Sequence, residues 1–241
     1  MKNLLVLIVV TSLCFADAGD VLKTIPAPAG NPDGLTWIGG SLYITSDVTH
    51  LIYQISPEDG SVISSFSGPG SNDALTGLTW DGTYLWSCSP PSIYKLSLPG
   101  GSIVSTIPSP SINSSEGLAW ISSHLWNCSQ SNNVVYELDP ATGAILDYFI
   151  PSGANGTLGL TYDGAYLWVS FIGSNLIYRM IPGDPVPVQY FLSPSESTQD
   201  LAFDGQYLWV TEYEMNAHVY QIDPGVIGFT PATWGSLKIR R

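Results

Sequence analysis

Short stretches of this chain alternate apolar and polar residues, and the same stretch returns every 40 to 43 residues. Its opening reads GLTW at residues 34–37 and 77–80, GLAW at 117–120, GLTY at 159–162 and DLAF at 200–203. Alternation with a period of two is typical of a β-strand with one buried face. The pattern predicts a repeat protein with five units.

Each unit continues with a turn and three further predicted strands. Asp-Gly pairs at residues 81–82, 163–164 and 204–205 favour tight hairpins, because glycine adopts positive φ angles. A YLW strand then stands at 84–86, 166–168 and 207–209, followed by a strand with an aliphatic–Tyr pair and a fourth strand. Four short antiparallel strands in roughly 41 residues indicate the blade of a β-propeller. We interpret the repeated aromatic residues as packing between blades.

The two ends of the repeat array complement each other. The fifth unit stops at residues 223–225, before a fourth strand, while GDVLKTIP at residues 19–26 aligns with GSIVSTIP at 101–108. The N-terminal strand is therefore predicted to complete the last blade, which leaves no open end in the ring. The fold class predicted is all-β, a five-bladed β-propeller of four-stranded antiparallel blades closed by the N-terminal strand.

The chain begins with features of an export signal. Lys2 precedes an apolar run from Leu4 to Phe15, and Ala16-Asp17-Ala18 has small residues where a signal peptidase cleaves. We expect residues 1–18 to be a signal peptide cleaved after Ala18, residues 19–228 to be the propeller domain and residues 229–241 to be a basic tail. The protein is then secreted, periplasmic or attached to the cell surface, with no membrane span.

Charge and cysteine content narrow the choice of partners. Twenty acidic residues stand against seven basic ones, for a net charge of −13. Such an acidic body repels phosphate backbones, so nucleic acid is not an expected partner. After cleavage the chain retains Cys88 and Cys128, which occupy equivalent positions in neighbouring units; we expect two free, buried thiols. We expect a monomer whose partner is a small ligand, a glycan or a protein.

Candidate binding residues lie in the loops between the fourth and first strands and between the second and third strands, which share one face. The residues before the blade openings form a predicted ring: Asp33, Thr76, Glu116, Leu158 and Gln199. We expect the ligand to contact this loop face through Asp33, Glu116, Asp200, Glu212, Tyr213 and Glu214. The face of Asp-Gly turns repeats nearly the same chemistry in every unit, so we expect it to be inert.

A metal site is a weaker possibility at the same face. Asp47, His50 and His218 fall in loops of the first and fifth units, which become neighbours when the ring closes. Carboxylates and imidazoles bind hard or borderline cations, although acidic loop residues facing water and a packed His218 explain the pattern better. We expect no cofactor, with a divalent cation as the alternative.

The units resemble those of secreted bacterial β-propeller proteins with YVTN-type, NHL-type and quinoprotein-like repeats. The segment Glu116-Gly117-Leu118, with residues 125–129 after it, is also similar to five-bladed glutaminyl cyclotransferases. That resemblance implies a propeller enzyme, a cyclotransferase, lyase or hydrolase, with Glu116 as its acid–base group. The first hypothesis from the residues themselves is a non-catalytic binding module. A Glu116 carboxyl with a raised pKa would favour catalysis, and a solvated one would favour binding.

Overall fold

A computed structural model describes residues 17–69, 75–153 and 155–225 of the chain. Most of the predicted signal peptide and the predicted tail lie outside these residues. The described part is all-β, and none of it forms a helix that could cross a membrane. The all-β prediction is confirmed for these residues.

The strands form five four-stranded antiparallel sheets. Strand β1 (Val21–Pro26) precedes the first blade in the chain. Blade 1 consists of β2 (Pro32–Ile38), β3 (Ser41–Ser46), β4 (Leu51–Ile55) and β5 (Val62–Ser67). Blade 2 consists of β6 (Leu78–Trp80), β7 (Leu85–Ser89), β8 (Ser92–Ser97) and β9 (Ser102–Pro108). Blade 3 consists of β10 (Ser115–Ile121), β11 (His124–Ser129), β12 (Val134–Leu138) and β13 (Ile145–Phe149).

The last two blades complete the ring. Blade 4 consists of β14 (Thr157–Tyr162), β15 (Leu167–Phe171), β16 (Leu176–Met180) and β17 (Pro187–Leu192). Blade 5 consists of β18 (Thr198–Phe203), β19 (Leu208–Glu212), β20 (His218–Ile222) and β1. Strand β1 pairs antiparallel with β20, with Lys23 opposite Gln221 and Ile25 opposite Val219. The predicted closure by the N-terminal strand, and with it the count of five blades, is confirmed.

Glycine at the blade openings lets the inner strands approach each other closely. A Cβ atom on Gly34 would lie 2.1 Å from the carbonyl oxygen of Thr76, and one on Gly77 would lie 2.6 Å from that of Glu116. No side chain fits at these distances, so glycine is required at these two contacts. Asp200 takes the equivalent position in blade 5, where its carboxyl group accepts backbone N–H groups of blades 1 and 4.

The core lies between neighbouring blades. Trp37 of blade 1 stacks on Trp209 of blade 5 with ring centroids 6.3 Å apart, and Trp86 of blade 2 stacks on Trp120 of blade 3 at 6.0 Å. Leu118 and Leu125 of blade 3 belong to the same buried cluster as Trp86. The interpretation of the repeated aromatic residues as packing between blades is confirmed.

Both cysteines are buried and unpaired. The Cys128 thiol donates to the carbonyl oxygen of Leu158 in the next blade, with Sγ and O 2.9 Å apart. The prediction of two free thiols is confirmed, because each thiol contacts the neighbouring inner strand instead of the other cysteine.

Candidate functional site

A cavity of about 600 Å³ opens at the mouth of the central channel. Its wall is built from two rings with one residue from each blade. The first ring immediately precedes or begins the inner strands and comprises Asp33, Thr76, Glu116, Leu158 and Gln199; the second follows the second strands and comprises Asp47, Pro90, Gln130, Ile172 and Tyr213. Ile112 and Asn113 complete the described wall. The predicted first ring is therefore confirmed as a structural feature.

Three carboxyl groups belong to this wall: those of Asp33, Asp47 and Glu116. Asp33 accepts a hydrogen bond from Nε2 of Gln199 at 2.8 Å. Oδ2 of Asp47 accepts one from the Tyr213 hydroxyl at 2.8 Å, whereas its Oδ1 is buried and receives no hydrogen bond from the described residues. Buried carboxylate oxygens are normally paired, so Oδ1 of Asp47 is an exception among the described residues.

Burial and mutual repulsion change the acidity of the three groups. Burial raises the pKa of Asp33 well above its usual value, and the nearby Glu116 and Asp47 raise it further. Burial, assisted by the charge of Asp47, raises the pKa of Glu116 to about 7. Burial also raises the pKa of Asp47, while the Tyr213 hydroxyl lowers it. The cavity therefore exchanges protons with solvent near neutral pH.

Asp200 is placed differently from the prediction. It is 2% exposed and lies in the ring of inner strands, away from the cavity wall. Its Oδ2 accepts the backbone N–H of Leu35 at 2.8 Å, and its Oδ1 accepts that of Leu160 at 3.1 Å. Burial raises its pKa to about 8, opposed by these backbone donors. Asp200 joins three blades and is not among the described wall residues of this cavity, so its role in ligand binding stays a prediction.

Glu212 and Glu214 also lie away from the cavity wall. Glu212 is buried and accepts hydrogen bonds from the His218 backbone N–H at 2.8 Å and from the Tyr220 hydroxyl at 2.9 Å. Glu214 is exposed and accepts a hydrogen bond from the Ser197 hydroxyl at 2.8 Å. Glu212 ends strand β19 and Glu214 lies in the loop after it, so neither contributes to this cavity, and their role in ligand binding stays a prediction.

The candidate metal ligands are not assembled into a site. In the described ranges, no three His, Cys, Asp or Glu side chains lie close enough together to hold a metal ion. Nδ1 of His218 lies 2.9 Å from Glu212, and His50 is a turn residue with a φ of 56° whose N–H donates to Ser46. Asp47, the third candidate, belongs to the cavity wall instead.

Several residues of the wall are not among the predicted site residues. Pro90, Gln130 and Ile172 occupy the position immediately after the second strand of their blades, the same position as Asp47 and Tyr213. Alignment of the repeats could have identified this second ring as a set. Ile112 and Asn113 come from the loop between β9 and β10, one of the loops predicted to form this face, and their own positions in the wall are known only from the structure.

These features define a five-bladed β-propeller with an acidic cavity at the mouth of its channel. The crystal structure of Myxococcus xanthus glutaminyl cyclase is similar, with a TM-score of 0.73 and 12% identity over 84% of this chain and 94% of that one. PQQ-bound aldose sugar dehydrogenase from Streptomyces coelicolor gives a TM-score of 0.57 at 12% identity, over 85% and 97%. Catalytically inactive virginiamycin B lyase from Staphylococcus aureus with quinupristin gives a TM-score of 0.53 at 18% identity, and the match covers 82% of each chain.

At these identities the similarities establish the propeller fold and nothing finer. No protein-family model matches this chain, and no curated protein does. The resemblance to YVTN-type and NHL-type repeats therefore stays a prediction.

Proposed function

We propose that this propeller binds a small, positively charged ligand, such as a primary amine, in the cavity of the loop face. One observation carries the proposal: Asp33, Asp47 and Glu116 face one cavity, and no Lys, Arg or His is among its described wall residues. A volume of about 600 Å³ suits a small molecule or the end of a peptide or glycan. A cationic group would offset the repulsion among the three carboxyl groups.

The rest of the wall offers contacts for the remainder of the ligand. Gln130 and Asn113 supply amide donors and acceptors, and Ile112 and Ile172 supply an apolar side. The carboxyl groups of Asp33, Asp47 and Glu116 are the acceptors for an ammonium group, since no cationic side chain of the described wall neutralises them.

A thermal-shift and calorimetric screen of the purified protein tests the proposal. The probes are alkylamines, amino sugars and short peptides with a free N-terminus, each compared with its uncharged analogue. We expect amines to bind, with affinity rising about tenfold between pH 6 and pH 8, because Glu116 must lose a proton whose pKa lies near 7. Binding of the neutral analogues with equal affinity would contradict the proposal.

Two charge-neutralising variants give a matched comparison. Glu116→Gln should weaken amine binding and reduce its pH dependence. Glu214→Gln removes the same charge from an exposed position off the cavity wall and should leave both unchanged. Equal effects of the two variants would show that amines are attracted to the acidic surface in general. The cavity would then not be the binding site.

Acid–base catalysis at Glu116 is a second candidate, favoured by its raised pKa in a buried wall position. In a reaction of the glutaminyl cyclase class, the α-amine of an N-terminal glutamine attacks its own side-chain carbonyl and ammonia leaves. Glu116 would take the proton from the attacking amine and give it to the departing nitrogen. Glutaminyl peptides are then both ligands and substrates of the cavity.

Ammonia release from glutaminyl peptides separates the two candidates. If Glu116 moves the proton, Glu116→Gln should lower kcat by about 100-fold or more, with a smaller change in peptide binding. Peptide binding without turnover by the unmodified protein would exclude this reaction and leave the binding function.

We further propose that the chain is exported, cleaved after Ala18, and carries a basic tail at residues 229–241. The proposed mature N-terminus stays part of the fold, since Gly19 N–H donates to the Asp223 carbonyl oxygen at 2.7 Å. N-terminal sequencing of protein recovered from the culture medium or the periplasm should begin at Gly19. A start at Met1 would contradict export by this route.

A further inference from the structure

Three blades carry the same set of side chains on the turn face, opposite the cavity. Each set has an aspartate in the turn, a tyrosine three residues later and a tryptophan five residues later. The sets are Asp81, Tyr84 and Trp86 in blade 2, Asp163, Tyr166 and Trp168 in blade 4, and Asp204, Tyr207 and Trp209 in blade 5.

The aspartate organises each set in the same way. In blade 5, Oδ1 of Asp204 accepts the backbone N–H of Tyr207 at 2.7 Å, and Oδ2 accepts the indole N–H of Trp209 at 2.8 Å. Asp81 and Asp163 make the same two bonds at the same lengths. The result is a carboxylate beside two aromatic rings, which is the chemistry that attracts an organic cation.

We call the carboxylate and the two aromatic rings of one set a cage. In blades 2 and 4 a cationic side chain of the same blade occupies this cage. The residue paired across the strand with the tryptophan is Lys95 in blade 2 and Arg179 in blade 4. Nζ of Lys95 lies 4.3 Å from the centre of the Tyr84 ring and 3.5 Å from Asp81. Cζ of Arg179 lies 3.9 Å from the centre of the Tyr166 ring.

Blade 5 has the cage without the cation. Gln221 is paired with Trp209, and its neutral amide lies 3.4 Å from Oδ2 of Asp204. A cavity of about 290 Å³ lies against these residues and is also lined by Trp37 of blade 1. The same carboxylate and rings that hold Lys95 in blade 2 therefore border an open space here.

The nearest lysine is held away from the cage. Lys23 on β1 borders the cavity, but its Nζ donates to Oε2 of Glu58 at 2.9 Å and to the carbonyl oxygen of Pro57 at 3.3 Å. The charges of Lys23 and Glu58 cancel, so the charged groups of the described wall leave the negative charge of Asp204 in excess.

We propose that this cavity between blades 5 and 1 binds an organic cation of the methylated ammonium type against the Tyr207 ring and the Asp204 carboxylate, next to the buried Trp209. The ligand takes the place that Lys95 fills in blade 2. The site revises the expectation that the turn face is inert, and it does not depend on the function proposed for the loop face.

Tetramethylammonium chloride is the probe, with sodium chloride and the uncharged tert-butanol as controls. The readout is the indole N–H signals in ¹H–¹⁵N NMR spectra, assigned by Trp→Phe variants. The Trp209 signal should shift saturably with tetramethylammonium, whereas the Trp86 and Trp168 signals should not, because their cages are already filled. An unmoved Trp209 signal, or an equal shift with tert-butanol, would overturn the proposal.

Two variants of similar side-chain length test the mechanism. Gln221→Lys should fill the cage as Lys95 does and weaken the tetramethylammonium response at least tenfold. Gln221→Met should retain it, because methionine brings no charge. The Trp86 and Trp168 signals verify that each variant is folded. A response that survives Gln221→Lys unchanged would also overturn the proposal, whatever the result at the loop face.

Discussion

One position in the second strand of each blade holds a small side chain that hydrogen-bonds to an inner strand, and three residue types occupy it: Thr45, Cys88, Cys128, Ser170 and Thr211. Ser170 Oγ accepts the Gly159 N–H and donates to the Gln199 carbonyl oxygen, both at 2.8 Å. The Cys128 thiol makes the corresponding bond to the next blade. Burial raises the pKa of the Cys88 thiol to about 12 and that of Cys128 well above its usual value, so neither forms a reactive thiolate at neutral pH.

At this scale, the prediction concerns Cys128. Cys128→Ser should be tolerated, because serine makes the bond at the equivalent position in blade 4. Cys128→Ala should lower the free energy of unfolding by about 1–3 kcal/mol, since the buried carbonyl group of Leu158 loses its thiol donor. Urea denaturation of both variants measures the difference. A serine variant as unstable as the alanine variant would refute the shared role.

At the scale of elements, β1 joins the two ends of the chain. Its residues Val21 and Leu22 are exposed, while Ile25 is 2% exposed and packs in the cluster between blades 5 and 1. The strand also covers the edge of β20, which would otherwise present unpaired backbone groups to solvent. Closure therefore depends on backbone pairing and on one anchoring side chain.

Deleting residues 19–26 should lower the free energy of unfolding by about 3 kcal/mol or more, because the burial of Ile25 and the pairing with β20 are both lost. Ile25→Ala should account for much of this loss. Leu22→Ala, in the same strand but exposed, should change the melting temperature by about 1 °C or less. A truncated protein that melts within a degree or two of the parent would contradict closure by β1.

At the scale of the whole molecule, the ring concentrates protonatable groups around its axis. Asp33 and Glu116 lie at the mouth of the channel and Asp200 lies in the ring of inner strands, each with a raised pKa. A carboxyl group whose pKa is higher in the folded state stabilises the fold fully below its unfolded pKa of about 4. That stability is lost as the pH rises through the folded value, here about 7 for Glu116 and about 8 for Asp200.

Glu212 and Asp81 change the stability in the opposite direction with pH, because hydrogen bonds lower their pKa despite burial. Their contribution is lost as the pH falls below about 4. The melting temperature should therefore be highest near pH 5 and fall by about 5–10 °C by pH 8.5. Asp200→Asn should flatten the alkaline side of the profile, as measured by calorimetry across this range. A melting temperature that rises between pH 5 and pH 8.5 would contradict the folded pKa values.

Much of the candidate site was predictable because the repeat places equivalent residues on one face. Asp33 and Glu116 were identified from their position before the blade openings, and Tyr213 from its loop. Asp200 stands at the glycine position of the blade opening, one residue after the ring that contains Asp33 and Glu116, and its environment differs from theirs. Whether a carboxyl group faces a cavity or accepts backbone N–H bonds depends on neighbouring blades, which the local pattern does not describe.

The sequence by itself determined the blade count, the closure by residues 19–26 and the two free thiols, because these follow from a repeat whose units are nearly equivalent. Tertiary structure alone decided where the units differ: the free oxygen of Asp47, the place of Asp200 and the unfilled cage of Asp204. Each arises where side chains from two or more blades meet, at distances set by the closed ring. A local pattern specifies strands, whereas contacts between blades set the charge, burial and acidity on which binding depends.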